Sequence, residues 1–464
     1  MKQNKVKDFF FDNIVTLIFI VLILVGFIVS KDVNSKFFLD ELSNRIYRNA
    51  FLVLSLIIPV IAGLGLNFGI VVGAIAGQLS IIFVRYMQMG SLWGFQNLKP
   101  FCAFLICLLI ALPIAVLIGW LVGMLYNKTR GQEMIASLIV GYFGNGVYQF
   151  IILFSVGAII PVDPTHPMIL TDGIGIRMSL DMGNIKYALE NLWQVPFHYF
   201  VAIAGTLVLI YLILKQFVIK PKPGQSRMSW AKFILLAVIC AVVAGICIYY
   251  CIMEKVLLAE VGKKGLKKAL NKLFLGNLCN IKSVPMGTVI MIALLAIFTK
   301  WIMGTKLGQD FRACGQSQHI AASNGINVDK TRIIATIIST VFAAWGQILY
   351  LQNTGTMAVY SAHNQIGFFA VAAILVGGAS VKKATVGQAF LGTLLFQSMF
   401  ILSPELGKAV FGAAILGEYF RTFMVYGVIG LALGLYVWKA NKAKQLKLPP
   451  VPEVEPLKPE TPAQ

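Results

Sequence analysis

The sequence predicts an all-α polytopic membrane protein of about 10–12 hydrophobic helices, and three observations predict it. Apolar runs of bilayer-spanning length recur from residue 14 to residue 438, and a run of ~20 residues at ~1.5 Å rise crosses the hydrocarbon. Only 12% of residues are charged, about half the share of a soluble domain, and mean hydropathy is +0.80. The charges also gather at the ends of apolar runs, as at Lys2, Lys5 and Lys7, Lys128 and Arg130, Lys215 to Lys232, and Lys439 to Lys447. A net charge of +20 placed this way reflects the Lys and Arg bias of cytoplasmic loops, not a nucleic-acid surface. A membrane β-barrel is the weaker alternative, because its strands alternate apolar and polar over ~10 residues.

In order, the apolar segments fall at 14–30, 50–66, 68–88, 101–126, 134–156, 197–219, 231–252, 285–304, 332–353, 365–381, 384–402 and 415–438. The first follows three lysines but no small-residue cleavage site, so it reads as an uncleaved first helix. Most of the seven cysteines lie inside apolar runs and the four histidines are scattered, which gives no metal-ligand spacing and leaves the thiols as small packing residues.

Two pairs of segments are broken by glycine: "GLGLNFGIVVGAIAGQ" within 50–88 and "LVGGASVKKATVGQAFLG" within 365–402. Irregular backbone survives at membrane depth only where protein buries it or a polar cavity hydrates it. Each pair ends in Gly-Gln, Gly77-Gln78 and Gly387-Gln388, and each precedes a long span, a weak internal repeat. Broken segments at matching places in two halves point to a translocation path; glycine packing between helices is the rival reading. On the first reading Asn67 and Gln78 offer amides to a hydroxylated solute, breaks at Gly69, Gly73 and Gly377 free backbone groups, and Phe368 and Phe369 gate or stack on a ring. On the other, the same phenylalanines pack against lipid or neighbouring helices.

Loop charge orients the chain. Residues 157–196 carry Asp163, Asp172, Asp181 and Glu190 against Arg177 and Lys186, and 215–232 are purely basic, so the first loop lies outside and the second inside. Both termini and the 305–331 loop are then cytoplasmic. The Lys-rich stretch 253–284 disagrees with this rule and reads as an amphipathic helix lying on a membrane surface. Residues 1–438 form the transmembrane domain, with a variable insertion at 197–284, and the Pro-rich 439–464 reads as a disordered cytoplasmic tail.

One polar stretch stands out in this oily chain, "FRACGQSQHIAASNGINVDK" at 311–330. Ser317 is a helix N-cap and Gly325 a helix stop. Between them lie about two turns whose small face, Ala321 and Ala322, admits a close partner. Spacing alone leaves a docking element and an ordinary surface helix equally open.

The longer stretch "GTKLGQDFRACGQSQHIAASNGINVDKTR" resembles the cytoplasmic coupling loop of ATP-binding cassette importer permeases of the simple-sugar, nucleoside and branched-chain amino acid group. The resemblance lies in Thr305, Gly308, Arg312, Ala313, Gly315, Ala321, Ala322, Gly325 and Ile326. Gln316-Ser317 departs from the family's frequent Asn-Pro, though both start a helix. "LVGMLYNKTRGQEMIASLIVGYFGN" (121–145) and "GFFAVAAILVGGASVKKATVGQAFLGTLLF" (367–396) are similar to two further family stretches. "GLNFGIVVGAIAGQL" is similar to a third, with an Asn-to-Gln spacing unlike the commonest nucleoside-type form. The likeness covers roughly 50–156 and 285–438, leaving 157–284 outside it.

The resemblance implies a multi-pass inner-membrane permease that pairs with a second permease, a cytoplasmic ATPase and an extracytoplasmic solute-binding protein. Arg312, Gly315, Ala321, Ala322, Gly325 and Ile326 would couple it to the ATPase, and a sugar or nucleoside would be the first solute to consider. No G-x-x-x-x-G-K-[ST] loop occurs in the sequence, so the chain carries no phosphate cradle of its own. ATP and Mg would sit on the partner, no cofactor on this chain, and the chain would not be an enzyme. The alternative is an ion-coupled secondary transporter, which needs buried ionisable residues that the apolar runs do not display. A membrane transferase is a further rival. Its only candidate residues, Asp163, His166, Asp172 and Asp181, lack metal spacing and read better as a loop docking the binding protein. Glu133 reads as a structural partner beside Arg130.

Overall fold

The computed structural model describes residues 13–30, 34–170, 172–217, 229–271 and 281–445. Its first half comprises α1 (Ile14–Val29), α2 (Ser35–Ser55), α3 (Ile57–Ile61), α4 (Ile70–Met89), α5 (Pro100–Lys128) and α6 (Glu133–Phe150). A loop with β1 (Ser179–Asp181) and β2 (Gln194–Val195) leads to α7 (Phe197–Phe217), α8 (Trp230–Asn271) and β3 (Val284–Pro285). Then follow α9 (Met286–Ile302), α10 (Lys306–Gln316), α11 (Gln318–Ser323), α12 (Val328–Thr354), β4 (Thr356–Ala358), α13 (Ile366–Val376), α14 (Val386–Phe411) and α15 (Ala414–Gln445). Among the described residues nine helices are long and apolar enough to cross a membrane, with α2 and α3 taken as one. The number becomes ten if α9 and α10, bent by 76°, form a single span. The protein is an all-α polytopic membrane protein, and the helices alternate between the end that holds α10 and α11, labelled the coupling end for the role that the resemblance implies, and an opposite end. There β1 pairs antiparallel with β4, and β2 with β3.

Glycine decides how the centre packs. α12 lies between α4 and α5, and each turns a Gly-x-x-x-Gly face towards it. A β-carbon on Gly73 or Gly77 of α4 would sit 2.6 Å from Ala343 Cβ or 2.5 Å from the Ala344 carbonyl oxygen. One on Gly119 or Gly123 of α5 would sit 2.9 Å from Ile337 Cα or 3.0 Å from Ile333 Cα. Apolar burial does not drive helices together in lipid, so close backbone approach with its dispersion contacts does. Gly73 is therefore not a helix break, as the sequence suggested, but a packing position inside α4; the break ends at Gly69, the residue before Ile70.

Both predicted breaks exist, and both are turns at the coupling end. The first runs between α3 and α4, with Gly63 and Gly65 at φ of +79° and +71°. The second runs between α13 and α14, with Gly378 at φ +83°, a conformation open to glycine at no steric cost. The Gly-Gln pairs are not equivalent. Gln388 stands in the first turn of α14 and its Nε2 donates to the Gly378 carbonyl at 2.6 Å. Gln78 stands deep within α4.

Three further expectations change. The span expected at 50–66 begins fifteen residues earlier in sequence, at Ser35. Asn34 caps it by accepting from the Lys36 and Phe37 amides, and Glu41 and Arg45 pair one turn apart at 2.7 Å. The stretch 253–271 does not lie on a surface as a separate helix; it continues α8, which at 42 residues is ~63 Å long, about twice the hydrocarbon thickness. Residues 272–280 lie outside the described residues, as do 1–12 and 218–228. The tail expected at 439–464 starts as helix, because α15 runs to Gln445; 446–464 lie outside the described residues. The insertion forms a hairpin of α7 and α8 that packs chiefly on itself, with Gly205 against Ala244 and His198 Nε2 2.8 Å from Glu254 Oε2.

Candidate functional site

At the coupling end the polar loop folds as two capped helices. The Thr305 side chain accepts from the Gly308 amide at 3.4 Å, Ser317 Oγ from the Ile320 amide at 3.4 Å, and Gly325 ends α11 at φ +77°. Cys314, Ala321 and Val328 are buried together, with Ile326 packed against them. Ala321, at 1% exposed, therefore faces inward, contrary to the expected small outward face of two alanines. Successive helical residues differ by ~100° in direction, so only one of the pair can face out. That one is Ala322, which shares the exposed surface with Arg312, His319, Ile320 and Gly325. Ile320 is 61% exposed and lies on the same exposed surface as Arg312. In the sequence a lone isoleucine between His319 and Ala321 carries no spacing that sets it apart.

Gly315 does something else. Its Cα faces the α3–α4 break: a β-carbon there would sit 2.1 Å from the Ile61 carbonyl oxygen, and one on Gly63 would sit 2.7 Å from Gly315 Cα. The coupling loop thus lies backbone to backbone on the first break. The second break joins them. A β-carbon on Gly65 would sit 3.5 Å from Val381 Cγ1, and a cavity of about 400 Å³ opens among Gly65, Glu133, Gly315, Ser317, Val381 and Lys382.

A buried ion pair braces this end. Arg332, 0% exposed, donates to Glu133 Oε1 at 2.7 Å and to the Tyr126 carbonyl at 2.9 Å. The sequence had set Glu133 beside Arg130; Arg130 instead pairs with Asp329. The apolar runs were also read as free of buried ionisable groups, but Arg332 follows so soon after Lys330 that it passed for part of a basic helix start. Both Arg332 contacts come from Nη2, while Nε and Nη1 are buried without a hydrogen-bond partner among the described residues; the Glu133 carboxylate is the group that offsets the buried charge.

The candidate pathway residues divide. Asn67 Oδ1 accepts from the Gly69 amide at 3.0 Å and from Tyr126 Oη at 2.8 Å, so it ties the first break to α5. A β-carbon on Gly69 would meet that same hydroxyl. Gly377 packs against the Gln388 carbonyl, closing α13 on α14. Gln78, 0% exposed, meets His363 Nδ1 through Oε1 at 2.7 Å, and His363 Nε2 meets Asn145 Oδ1 at 2.7 Å. This chain of three polar side chains holds the irregular segment before α13 against α4 and α6. His363 was not singled out from the sequence, where a lone histidine in the polar stretch 361–365 has no distinguishing spacing.

Phe368 and Phe369 face different spaces. Phe368 packs on Phe68 and Tyr426, each at 5.4 Å between ring centroids, and lines a cavity of about 240 Å³. Phe369 packs on Phe400 at 5.0 Å and lines a cavity of about 420 Å³ with Arg45, Arg48, Asn49, Gln365 and Gln397. Arg48 also lines a third cavity of about 450 Å³, towards the opposite end, with Asp40, Tyr187, Glu190, Lys282 and Asn353. Burial pushes the Glu190 carboxyl above its ordinary range, against the hydrogen bond from Asn353 and the charges of Arg48 and Lys282. In the 157–196 loop, His166 stacks on Tyr86 at 4.2 Å and accepts from the Met168 amide at 3.2 Å. It anchors that loop to α4; no cluster of three metal-ligating side chains occurs among the described residues.

Known proteins match this architecture in sequence. The model of the family "Branched-chain amino acid transport system / permease component" matches residues 47–429. The probable ABC transporter permease protein YphD of Escherichia coli (strain K12) is 35% identical over 112 residues, 24% of this chain and 33% of YphD. The high-affinity branched-chain amino acid transport system permease protein LivH of Salmonella typhimurium is 32% identical over 122 residues, 25% of this chain and 38% of LivH. The matched stretches thus span about a third of these relatives. No solved structure matches. The family match covers most of the chain and includes both breaks, the coupling loop and the Arg332–Glu133 brace, and the chain belongs to the permease components of the branched-chain amino acid transport family of ABC transporters.

Proposed function

We propose that this chain is the membrane-spanning permease subunit of an ATP-driven importer for a small polar solute, working by alternating access. The observation that carries this reading is the backbone contact between Gly315 and the 61–63 turn. A cytoplasmic ATPase that grips Arg312, Ile320 and Ala322 pulls on a loop that is seated directly on one helix break and shares a cavity with the other. Interfaces packed this closely switch between discrete arrangements and do not stretch. Motion of the loop therefore passes to α4 and α14 and, through the Gly-x-x-x-Gly faces, to α12.

ATP and Mg belong to the partner, a second permease copy or paralogue completes the membrane unit, and a solute-binding protein docks at the opposite end, where the 157–196 loop and the two short ladders lie. Both termini then face the cytoplasm. For the solute, an amino acid now stands beside the sugar and nucleoside classes, since LivH is named for branched-chain amino acids.

The test is co-purification of the detergent-solubilised chain with its ATPase, wild type against Arg312→Ala and Ala322→Trp. Exposed Ala322 accepts an indole without unfolding the protein, so Ala322→Trp inserts normally and loses the ATPase. An ATPase that never co-purifies, or one indifferent to the indole, returns the ion-coupled transporter as the better reading.

A further inference from the structure

Arginine inside a membrane helix is costly, and where it occurs it marks a pairing or a pathway. α2 carries two, Arg45 and Arg48, within the span Ser35–Ile61. Both line the cavity of about 420 Å³ with amides, Tyr350 and Phe369, and no carboxylate lines it among the described residues. Arg45 gives its Nε to Glu41 at 2.7 Å, which leaves its remaining N–H groups for the cavity. Arg48 has no hydrogen bond or ion pair among the described residues, and its Nε is enclosed without a partner. Glu190 feels its charge electrostatically, from the neighbouring cavity that Arg48 also lines. Beside the guanidinium groups lies an aromatic wall: Phe400 packs edge-to-face on Phe369 at an interplanar angle of 78°, with Arg45 5.7 Å and Arg421 4.1 Å from its ring centroid.

We propose that the cavity between α2, α12, α13 and α14 is an anion-selective solute site, in which Arg48 recognises a carboxylate or phosphate on a solute whose apolar or ring-shaped body lies against Phe369 and Phe400. Guanidinium is the side chain suited to such oxyanions because its fork of N–H groups matches two oxygens at once. The volume suits a small molecule. Arg48 lines both cavities at the opposite end, so an entering solute meets its charge in the outer cavity and keeps it in the inner one. The mixed charges of the outer cavity, Asp40, Glu190 and Lys282, do not select for sign; the inner lining does. Neutral sugars and nucleosides are then poor cargo. That the bound anion is cargo rests on the permease reading above; the anion site itself does not.

The test reads the site's charge directly. Ser361 is exposed and lines the same cavity, so Ser361→Cys in a full-length chain without its native cysteines places one thiol there. Its labelling rates with an anionic and a cationic methanethiosulfonate reagent are compared in wild type, Arg48→Gln and Arg48→Lys. We expect the anionic reagent to be favoured about tenfold, the preference to fall towards unity in Arg48→Gln, and Arg48→Lys to retain it. Protection is then measured with matched probes: 4-methylpentanoate against 4-methylpentanamide, and ribose 5-phosphate against ribose. Protection by the acid member of a pair and not the neutral one, lost in Arg48→Gln, supports the site and tells carboxylate from phosphate. Equal labelling by both reagents in wild type, or equal protection by acid and neutral probes, overturns it. The same labelling in nanodiscs covers the lipid source: protection by phosphatidylglycerol but not phosphatidylcholine, with no effect of the soluble acids, assigns the charge to a headgroup and overturns a solute site. ATPase co-purification is scored on every variant. An Arg48-dependent preference in a chain that binds no ATPase keeps the anion site and sinks the permease mechanism, and the reverse result does the opposite.

Discussion

Gly315→Ala separates the coupling loop from the turn it rests on, and the structure sets the size of the effect. The new β-carbon would lie 2.1 Å from the Ile61 carbonyl oxygen and 3.2 Å from the Gly63 amide nitrogen. An unstrained carbon–oxygen contact needs about 3.4 Å, so the two backbones must part by about 1.3 Å, the difference of those distances. Both obstacles are backbone atoms, so no side chain can swing aside. Overpacking of this kind costs about 1–3 kcal/mol, which shifts the balance between seated and unseated loop by about 5- to 150-fold. The assay is amide hydrogen exchange over residues 62–69 in the purified permease, with ATPase co-purification alongside. Exchange there should rise at least about fivefold, while the ATPase still binds, because Arg312, Ile320 and Ala322 keep their exposed positions. Gly131→Ala is the control: its φ of +87° makes alanine strained, but nothing lies within 4 Å, so exchange at 62–69 should not change. If Gly315→Ala exchanges like wild type, the loop and the first break are not in mechanical contact and the lever argument is wrong.

Three other outcomes follow from the packing and the charges. Gly77→Val drives a branched side chain into the Ala344 carbonyl and Gln347 Cβ; the purified protein should lose about 1–3 kcal/mol, or misassemble, in a thermal-stability assay, whereas exposed Gly434→Ala, inside α15 with nothing within 4 Å, should cost nothing and add up to about 1 kcal/mol. Arg332→Ala leaves Glu133 buried without its partner and should cost about 3–5 kcal/mol, with the double change Arg332→Met and Glu133→Gln recovering most of it; a double variant no better than the single would mean the pair is not the unit. Glu190 has a raised folded-state pKa, so the native state holds its proton more tightly than the unfolded chain does. Stability contributed there is present at low pH and falls as pH rises from the ordinary glutamate value of 4.5 through the raised one. Glu190→Gln keeps the acceptor for Asn353 and should remove that part of the pH dependence, seen as a smaller drop in melting temperature between pH 4 and neutrality than in wild type.

The membrane class, the run of spans, both glycine breaks and the capped coupling loop were legible in the sequence, because each depends on local chemistry. Apolar length sets a span, glycine at positive φ sets a turn, and Ser317 or Thr305 sets a helix start whatever lies nearby. Burial and partnership were not legible, because they depend on residues far apart in the chain. Ala321 and Ala322 are alike in sequence, and only the fold buries one against Cys314 and Val328 and exposes the other. Gly73 and Gly69 both interrupt an apolar run, yet one packs on α12 and the other ends a break. Phe368 and Phe369 are neighbours that line separate cavities. Arg45 and Arg48 stood outside the span that hydropathy drew, since their polar turn dilutes the average; the helix continues through them because Asn34 caps it and Glu41 pairs with Arg45. The sequence by itself determined where helices form and where they must turn. Only the tertiary structure decided which polar groups meet, because hydrogen bonds and ion pairs such as Arg332 to Glu133, 199 residues apart, are satisfied by position in space and not by position in the chain.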